Sequence, residues 1–234
     1  WMHLRPIEGV QRVPIGQLFP TMRNPALLLD LGANVDCSAR HLCDFAEMGA
    51  MYSERVLGVS EPRVGLLNIG EEQLKGNEVA KNVHKYLQAA PHINFVGNIE
   101  PRSMYRGSAD VVVCDGFVGN LVLKTSEAAG GLIKNLLERE LKSTFTSKIG
   151  ALLSSGAFRR LKLTIDPNEY PGAPLLGVNG AVVILHGSVH SKGVYNAIKG
   201  AVRAAASDMP SHIRKGIQEL REIESQQSAQ GEES

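Results

Sequence analysis

Apolar residues along this chain fall into short runs and long periodic stretches, and the two alternate. Short runs at 26–31, 63–68, 93–96 and 109–114 are bounded by Gly, Asn, Asp or Pro and read as strands. Between the first two, Leu42, Phe45, Ala46, Gly49, Tyr52 and Val56 recur every three or four positions. That spacing puts one apolar face on a helix starting after Asp36 or Ser38. Residues 77–89 and 118–141 carry the same period, with Pro62 and Pro91 at the joins. Strand and helix in alternation predict an α/β fold, a three-layer α/β/α sandwich around a mostly parallel sheet. Its ligand site is then expected at the carboxyl ends of the strands.

Further on, 173–178 and 181–186 read as two strands around Asn179-Gly180, a dipeptide suited to a tight hairpin turn. Helical pattern resumes at 193–207 and after Pro210, and from Glu222 the chain is so polar that a disordered tail is expected. The organisation read from this is a lead-in over 1–25, an α/β domain over 26–221 and a tail over 222–234.

The loops that follow the four strands share one composition. They are residues 30–36 (DLGANVD), 68–77 (NIGEEQLKGN), 97–100 (GNIE) and 115–120 (DGFVGN). Each pairs a glycine, which lets a ligand approach the backbone, with an Asn or Asp able to exchange hydrogen bonds. One Gly-Asn pair is ordinarily a turn. Recurrence at four successive strand ends predicts a shared rim instead. Two of these loops run directly into helices, whose free N–H groups and positive dipole end suit an anion. Of the two lysines nearest the rim, Lys75 stands beside Gly76 and Asn77 at a helix start, whereas Lys124 reads as a solvated surface residue.

Composition narrows the chemistry. With 25 basic against 24 acidic residues the formal charge is +1, so no general attraction to nucleic acid is expected and any anion site is local. Cys37, Cys43 and Cys114 have no C-x-x-C spacing and read as packing residues in a reducing, cytoplasmic setting. Phosphate-binding P-loop, dinucleotide and G-x-S-x-G signatures are absent. His186 and His190 have no third ligand nearby and read as ordinary histidines. Chemistry between bound substrates is expected, with no metal, no cofactor and no covalent intermediate.

Read as a set, the motifs LLDLGANVD (28–36), PRVGLLNIGEEQLKGN (62–77), NFVGNIE (94–100), DVVVCDGFVGNLVLK (110–124) and GAPLLGVNG (172–180) resemble the PlsX family of bacterial phosphate acyltransferases. Their order and spacing match from about Arg5 to Ala206, with Pro171 standing where that family usually has a glycine. The family's opening Gly-Gly-Asp and Asn-Thr-Gly motifs are not found, so the resemblance implies a chain that starts partway through the fold.

That resemblance implies a fold like isocitrate and isopropylmalate dehydrogenases and a homodimer. It also implies transfer of an acyl group from acyl carrier protein to inorganic phosphate in phospholipid synthesis. Phosphotransacetylases acting on acetyl-CoA are the enzymatic alternative, and a module that only dimerises or docks the carrier protein is the non-enzymatic one. Catalytic roles are expected for Lys75 and Asn120. Asp30, Asn34, Asn68, Glu72, Gly76, Asn77, Asn98, Asp115, Gly116 and Gly119 are expected to bind substrate, with the amides of Gly76, Asn77, Gly116 and Gly119 turned to it. Residues 141–163 mix Ile149, Leu152, Leu153 and Phe158 with lysine and arginine, which suits a helical hairpin on a membrane surface or a dimer contact. The resemblance favours peripheral contact with the inner face of the membrane.

Overall fold

The computed structural model describes residues 4–166, 169–170, 172–185, 187 and 189–232. Five strands form the main sheet: β1 (Gly16–Phe19), β2 (Ala26–Leu29), β3 (Val64–Leu67), β4 (Phe95–Ile99) and β5 (Val111–Val113), in the order β1-β2-β5-β3-β4. All pairings are parallel except β1 with β2. The expected α/β class is therefore found.

The central strands are apolar at every position because both faces are covered. Leu27, Leu29, Val64, Leu66, Val111 and Val113 face one cluster, and Ala26, Leu28, Val112 and Ile99 face the other. On the first face lie α1 (Ala39–Tyr52), α2 (Glu78–Gln88) and α8 (Met209–Glu232), which bring Leu42, Phe45, Met48, Val83, Leu87, Ile213 and Ile217. Burial of each such side chain contributes about 2 kcal/mol. On the opposite face α3 (Pro101–Tyr105) brings Met104, and the start of α4 (Gly116–Ser143) brings Val118 and Val122. Three layers result.

A helix-bearing arm leaves this body. Beyond Gly119, no residue of α4 is buried, and the helix continues into α5 (Phe145–Leu153) and α6 (Ser155–Ile165), neither of which buries a residue. The expected hairpin region thus consists of the last turn of α4 and two short helices joined through Ser154. Further along, α7 (Ser191–Ala206) follows a two-stranded sheet of β6 (Ala173–Leu175) and β7 (Val182–Ile184).

Four elements differ from the reading of the sequence. The boundary at residue 26 falls inside the sheet, since β1 pairs along β2 and Ile7, Val10 and Phe19 are core residues. Periodicity missed β1 because Gly-Gln-Leu-Phe is too short to show alternation. Residues 97–99 lie in β4, where Asn98 and Ile99 pair with Leu66 and Leu67 after a register shift, and Gly97 at φ +92° breaks the apolar pattern. The tight Asn179-Gly180 turn is not formed: Leu176 and Gly177 bond instead to Pro14 and Ile7, which opens the connection between β6 and β7. Finally, α8 runs on to Glu232, over residues expected as a tail; Glu, Gln and Ala are good helix formers whether or not a face is apolar. His186 and Pro171 lie outside the described residues.

Candidate active site

Parallel pairing sets the four loops along one edge. Val113 of β5 is in register with Leu29 of β2 on one side and with Leu66 of β3 on the other, so their carboxyl ends stand side by side at strand spacing, about 4.8 Å. Two hydrogen-bonded groups are built there.

The first joins the ends of β2 and β5. Asp30 is fully buried, and its carboxylate accepts from the amides of Ile15 (2.8 Å), Leu31 (2.7 Å), Ala33 (3.3 Å) and Asn34 (2.6 Å) and from Asn34 Nδ2 (3.0 Å). Asn34 Nδ2 also donates to the Val13 carbonyl at 3.0 Å. Asp115 caps α4, its Oδ1 accepting from Val118 N at 2.7 Å. The amide of Gly116 donates to the Asn34 carbonyl at 2.8 Å, and that of Gly119 to the Asp115 carbonyl at 2.9 Å. These two amides are therefore occupied, that of Gly116 by the β2 loop and that of Gly119 by the start of its own helix. Gly32, at φ +120°, has the Asn120 side chain beside it, where a Cβ would lie 3.5 Å from Asn120 Cγ.

The second group joins β3, β4 and α2. Asn68 Nδ2 donates to the Lys75 carbonyl (3.0 Å), and its Oδ1 accepts from Ile69 N (2.8 Å). Lys75 N donates to the Glu72 carbonyl at 3.0 Å, closing a turn. That carbonyl also accepts from Asn98 Nδ2 at 2.8 Å. Asn77 caps α2 through Ala80 N at 2.9 Å. Gly76 takes φ +91°, and a Cβ there would stand 2.6 Å from Asn68 Oδ1, so only glycine fits. The Lys75 stem lies over Gly70, beside the Glu72 carboxylate.

What remains unbonded is as informative. Most of the polar side chains expected to meet substrate hold the loops together. Among the described residues, the Lys75 ammonium, the Asn120 amide and the Glu72 carboxylate have no hydrogen-bond or ion-pair partner, nor do the backbone amides of Gly76 and Asn77. Lys75 is exposed and Asn120 half-buried. A cation and two free amides at the start of α2 are donors of the kind that suit an anion.

Both neighbouring thiols are shifted away from the thiolate form. Burial, then the charges of Asp30 and Asp115, raise the Cys37 pKa to about 11, and burial pushes the wholly enclosed Cys114 well above the ordinary thiol range. Cavities of about 280 Å³ beneath β6–β7 and about 760 Å³ beside Glu47 and His92 are lined by none of the rim residues. No metal-binding cluster of three His, Cys, Asp or Glu side chains exists among the described residues.

Residues 1–212 match the sequence model of a family described as fatty acid synthesis protein. The chain belongs to that family. Curated relatives named phosphate acyltransferase agree with the motif resemblance. The one from Acidobacterium capsulatum is 47% identical over 212 residues, covering 91% of this chain and 63% of the relative. That from Moorella thermoacetica is 50% identical over 194 residues, 83% of this chain and 57% of the relative. The chain thus spans about three fifths of the length of these relatives. In three dimensions this fatty acid synthesis family member is similar to a phosphotransacetylase from Streptococcus pyogenes, with a TM-score of 0.60 at 15% identity over 87% of this chain and 56% of that one. A TM-score of 0.57 at 16% identity relates it to the EutD phosphotransacetylase of Staphylococcus aureus, over 86% and 57% of the respective chains. These two likenesses concern the fold.

Sequence reasoning missed two parts of the site's support. His84 meets Asn98 from α2, and Ser103 on α3 donates to Glu71 Oε1 at 2.5 Å. Neither lies in a glycine-rich loop, and the one signal was a histidine beside the apolar positions Val83 and Leu87 of a short helix.

Proposed function

We propose that this chain carries the transfer of a fatty acyl group from acyl carrier protein to inorganic phosphate, a step that feeds phospholipid synthesis. The observation that carries this reading is the unbonded donor set at the start of α2, Lys75 with the amides of Gly76 and Asn77 after β3, together with the unbonded Asn120 amide on the helix that follows the neighbouring strand β5. Relatives named phosphate acyltransferase support the reaction class.

In this reading a phosphate oxygen attacks the thioester carbonyl carbon. The C–O bond forms as the carbonyl electrons move onto oxygen; collapse of the tetrahedral state breaks the C–S bond. The carrier thiolate leaves and takes up the proton released from the phosphate. Two anionic centres need fixed donors. Lys75 and the α2 amides hold the phosphate, and Asn120 donates to the developing oxyanion. Dimerisation and peripheral contact with the inner face of the membrane, through the α5–α6 arm, belong to the same proposal, as does a cytoplasmic body.

The test is phosphate-dependent release of carrier thiol from acyl-ACP by this chain. Lys75→Ala and Asn120→Ala are each expected to lower turnover on the order of a hundredfold. Near-normal turnover in Lys75→Ala overturns the assignment. Faster turnover with acetyl-CoA in place of acyl-ACP favours phosphotransacetylase chemistry, and binding of acyl-ACP with no thiol release leaves a docking module.

A further inference from the structure

The loop that presents Lys75 is held at both ends by asparagine amides, and one of those amides is itself held from behind. Asn98 is 4% exposed. Its Nδ2 reaches the Glu72 carbonyl at 2.8 Å, and its Oδ1 lies 3.2 Å from Nδ1 of His84, itself only 7% exposed. A carbonyl oxygen only accepts, so the amide must turn its NH2 group to Glu72. Its oxygen then faces His84, and Nδ1 of that ring must carry a proton to make the bond. The ring is fixed further by an edge-to-face contact with Phe95, at 5.2 Å between centroids and 78° between planes.

We infer that His84 is a positioning residue for the Lys75 loop: its Nδ1–H fixes the orientation of the Asn98 amide, which holds the Glu72 carbonyl and thereby the turn that presents Lys75. The catalytic consequence rests on the role proposed for Lys75 above; the mechanical one does not. The chain of contacts is short and direct. His84 on α2 bonds Asn98 on β4, Asn98 bonds the Glu72 carbonyl, and that same carbonyl accepts the Lys75 amide at 3.0 Å. Two donors, one from β4 and one from the loop itself, thus converge on one carbonyl two residues past Gly70, with α2 behind the first of them. Without a donor at position 84, Asn98 Oδ1 is left buried and unpaired, a state costly enough to make the amide flip or withdraw. A flipped amide sets an oxygen against the Glu72 carbonyl, and the turn opens.

Nitrogen NMR of the His84 ring and amide hydrogen exchange, both on this chain, test the inference. The ring is expected to carry its proton on Nδ1; a bare Nδ1 with the proton on Nε2 overturns the inference before any variant is made. In His84→Phe, which keeps the aromatic packing and removes the donor, the Lys75 amide is expected to exchange about tenfold faster or more, while Val112 in the central strand is unchanged. His84→Asn places an amide donor where Nδ1 stood and is expected to restore slow exchange. Unaltered Lys75 exchange in His84→Phe overturns the inference, and so does an Asn variant no slower than Phe. If the Phe variant loses protection at Val112 as well, the wild-type ring tautomer and the Asn variant decide.

In the thiol-release assay, His84→Phe is expected to lower kcat about tenfold with KM for acyl-ACP nearly constant, and Asn to recover it. Should Lys75→Ala prove silent in that assay while the NMR and exchange results hold, the role of Lys75 fails and the positioning role of His84 stands.

Discussion

Gly119 in the first turn of α4 lies against the carbonyl of Asp30 so closely that a Cβ would stand 1.8 Å from that oxygen. Both partners are backbone, so neither can rotate away. The same turn carries Gly116, whose Cβ would meet the Asn34 carbonyl at 2.7 Å, and Asn120, packed beside Gly32. Close approach of helix to loop is therefore what sets Asn120 on the rim.

Gly119→Ala is expected to push α4 off the β2 loop. Overpacking against fixed backbone costs about 3 kcal/mol, at the upper end of ordinary small-to-large changes. Urea unfolding checks this as a lowered midpoint with an unchanged slope. A neutral result would mean that α4 docks more loosely than the structure has it.

How much of this was legible beforehand differs from element to element, for physical reasons. Periodicity exposed β2, β3 and β5 because a strand buried on both faces reads as an unbroken apolar run, as Leu27-Leu28-Leu29 and Val111-Val112-Val113 do. It failed for β1, where Gly-Gln-Leu-Phe is neither an unbroken apolar run nor an alternating one. The loop glycines were readable as close-approach positions. Which polar residues are tied into the loop and which are left unbonded was not readable, because Asp30 and Lys75 sit in equally glycine-rich, equally polar stretches. Only hydrogen-bond partners separate them: five contacts converge on the Asp30 carboxylate, and none on the Lys75 ammonium.

His92 supplies a pH-dependent contribution to stability. Its Nε2 bonds the fully buried Glu47 carboxylate on α1 at 3.0 Å, and its Nδ1 lies 3.8 Å from Glu219 on α8. The hydrogen bond to Glu47 raises the His92 pKa; burial opposes it, and the charges of Glu47 and Glu219 add to the rise. A raised folded pKa means that folding favours the protonated ring. Its contribution is then full below about pH 6.5, the unfolded value, and is lost as pH climbs through the folded value. The stability gap between wild type and His92→Gln is expected to be widest near about pH 6 and to narrow toward about pH 9. Urea midpoints across that range measure it, and a gap that does not change with pH would rule the linkage out.

Cys37 offers a test of the rim's electrostatics that needs no substrate. With its pKa raised from 9.0 to about 11 by burial and by the Asp30 and Asp115 charges, thiolate is scarce at neutral pH. Alkylation by iodoacetamide at about pH 8 is expected to run on the order of a hundredfold slower than for a free cysteine, before any steric protection. Its rate should still be climbing above about pH 10. A plateau near the ordinary thiol range would show that neither burial nor the two carboxylates act on the sulfur as the structure has them.

The arm of α5 and α6 carries the last prediction. Between Leu141 and Ile165 no acidic residue occurs, while Lys142, Lys148, Arg159, Arg160 and Lys162 are all basic. Phe145, Leu152 and Leu153 are 79%, 74% and 83% exposed, and no helix among the described residues is long and apolar enough to cross a membrane. Exposed apolar side chains interleaved with positive charge suit a helix lying in the headgroup region of an anionic bilayer, where both terms add. Flotation with vesicles rich in phosphatidylglycerol is expected to carry this chain upward. Leu152→Glu and Phe158→Glu should each reduce the bound fraction several-fold, Leu152 the more because it is fully presented while Phe158 is half-buried. Raised salt should weaken binding by screening the basic residues. If flotation is unaffected by both substitutions and they instead convert a sedimenting dimer to monomer, the arm is a subunit contact and not a membrane one.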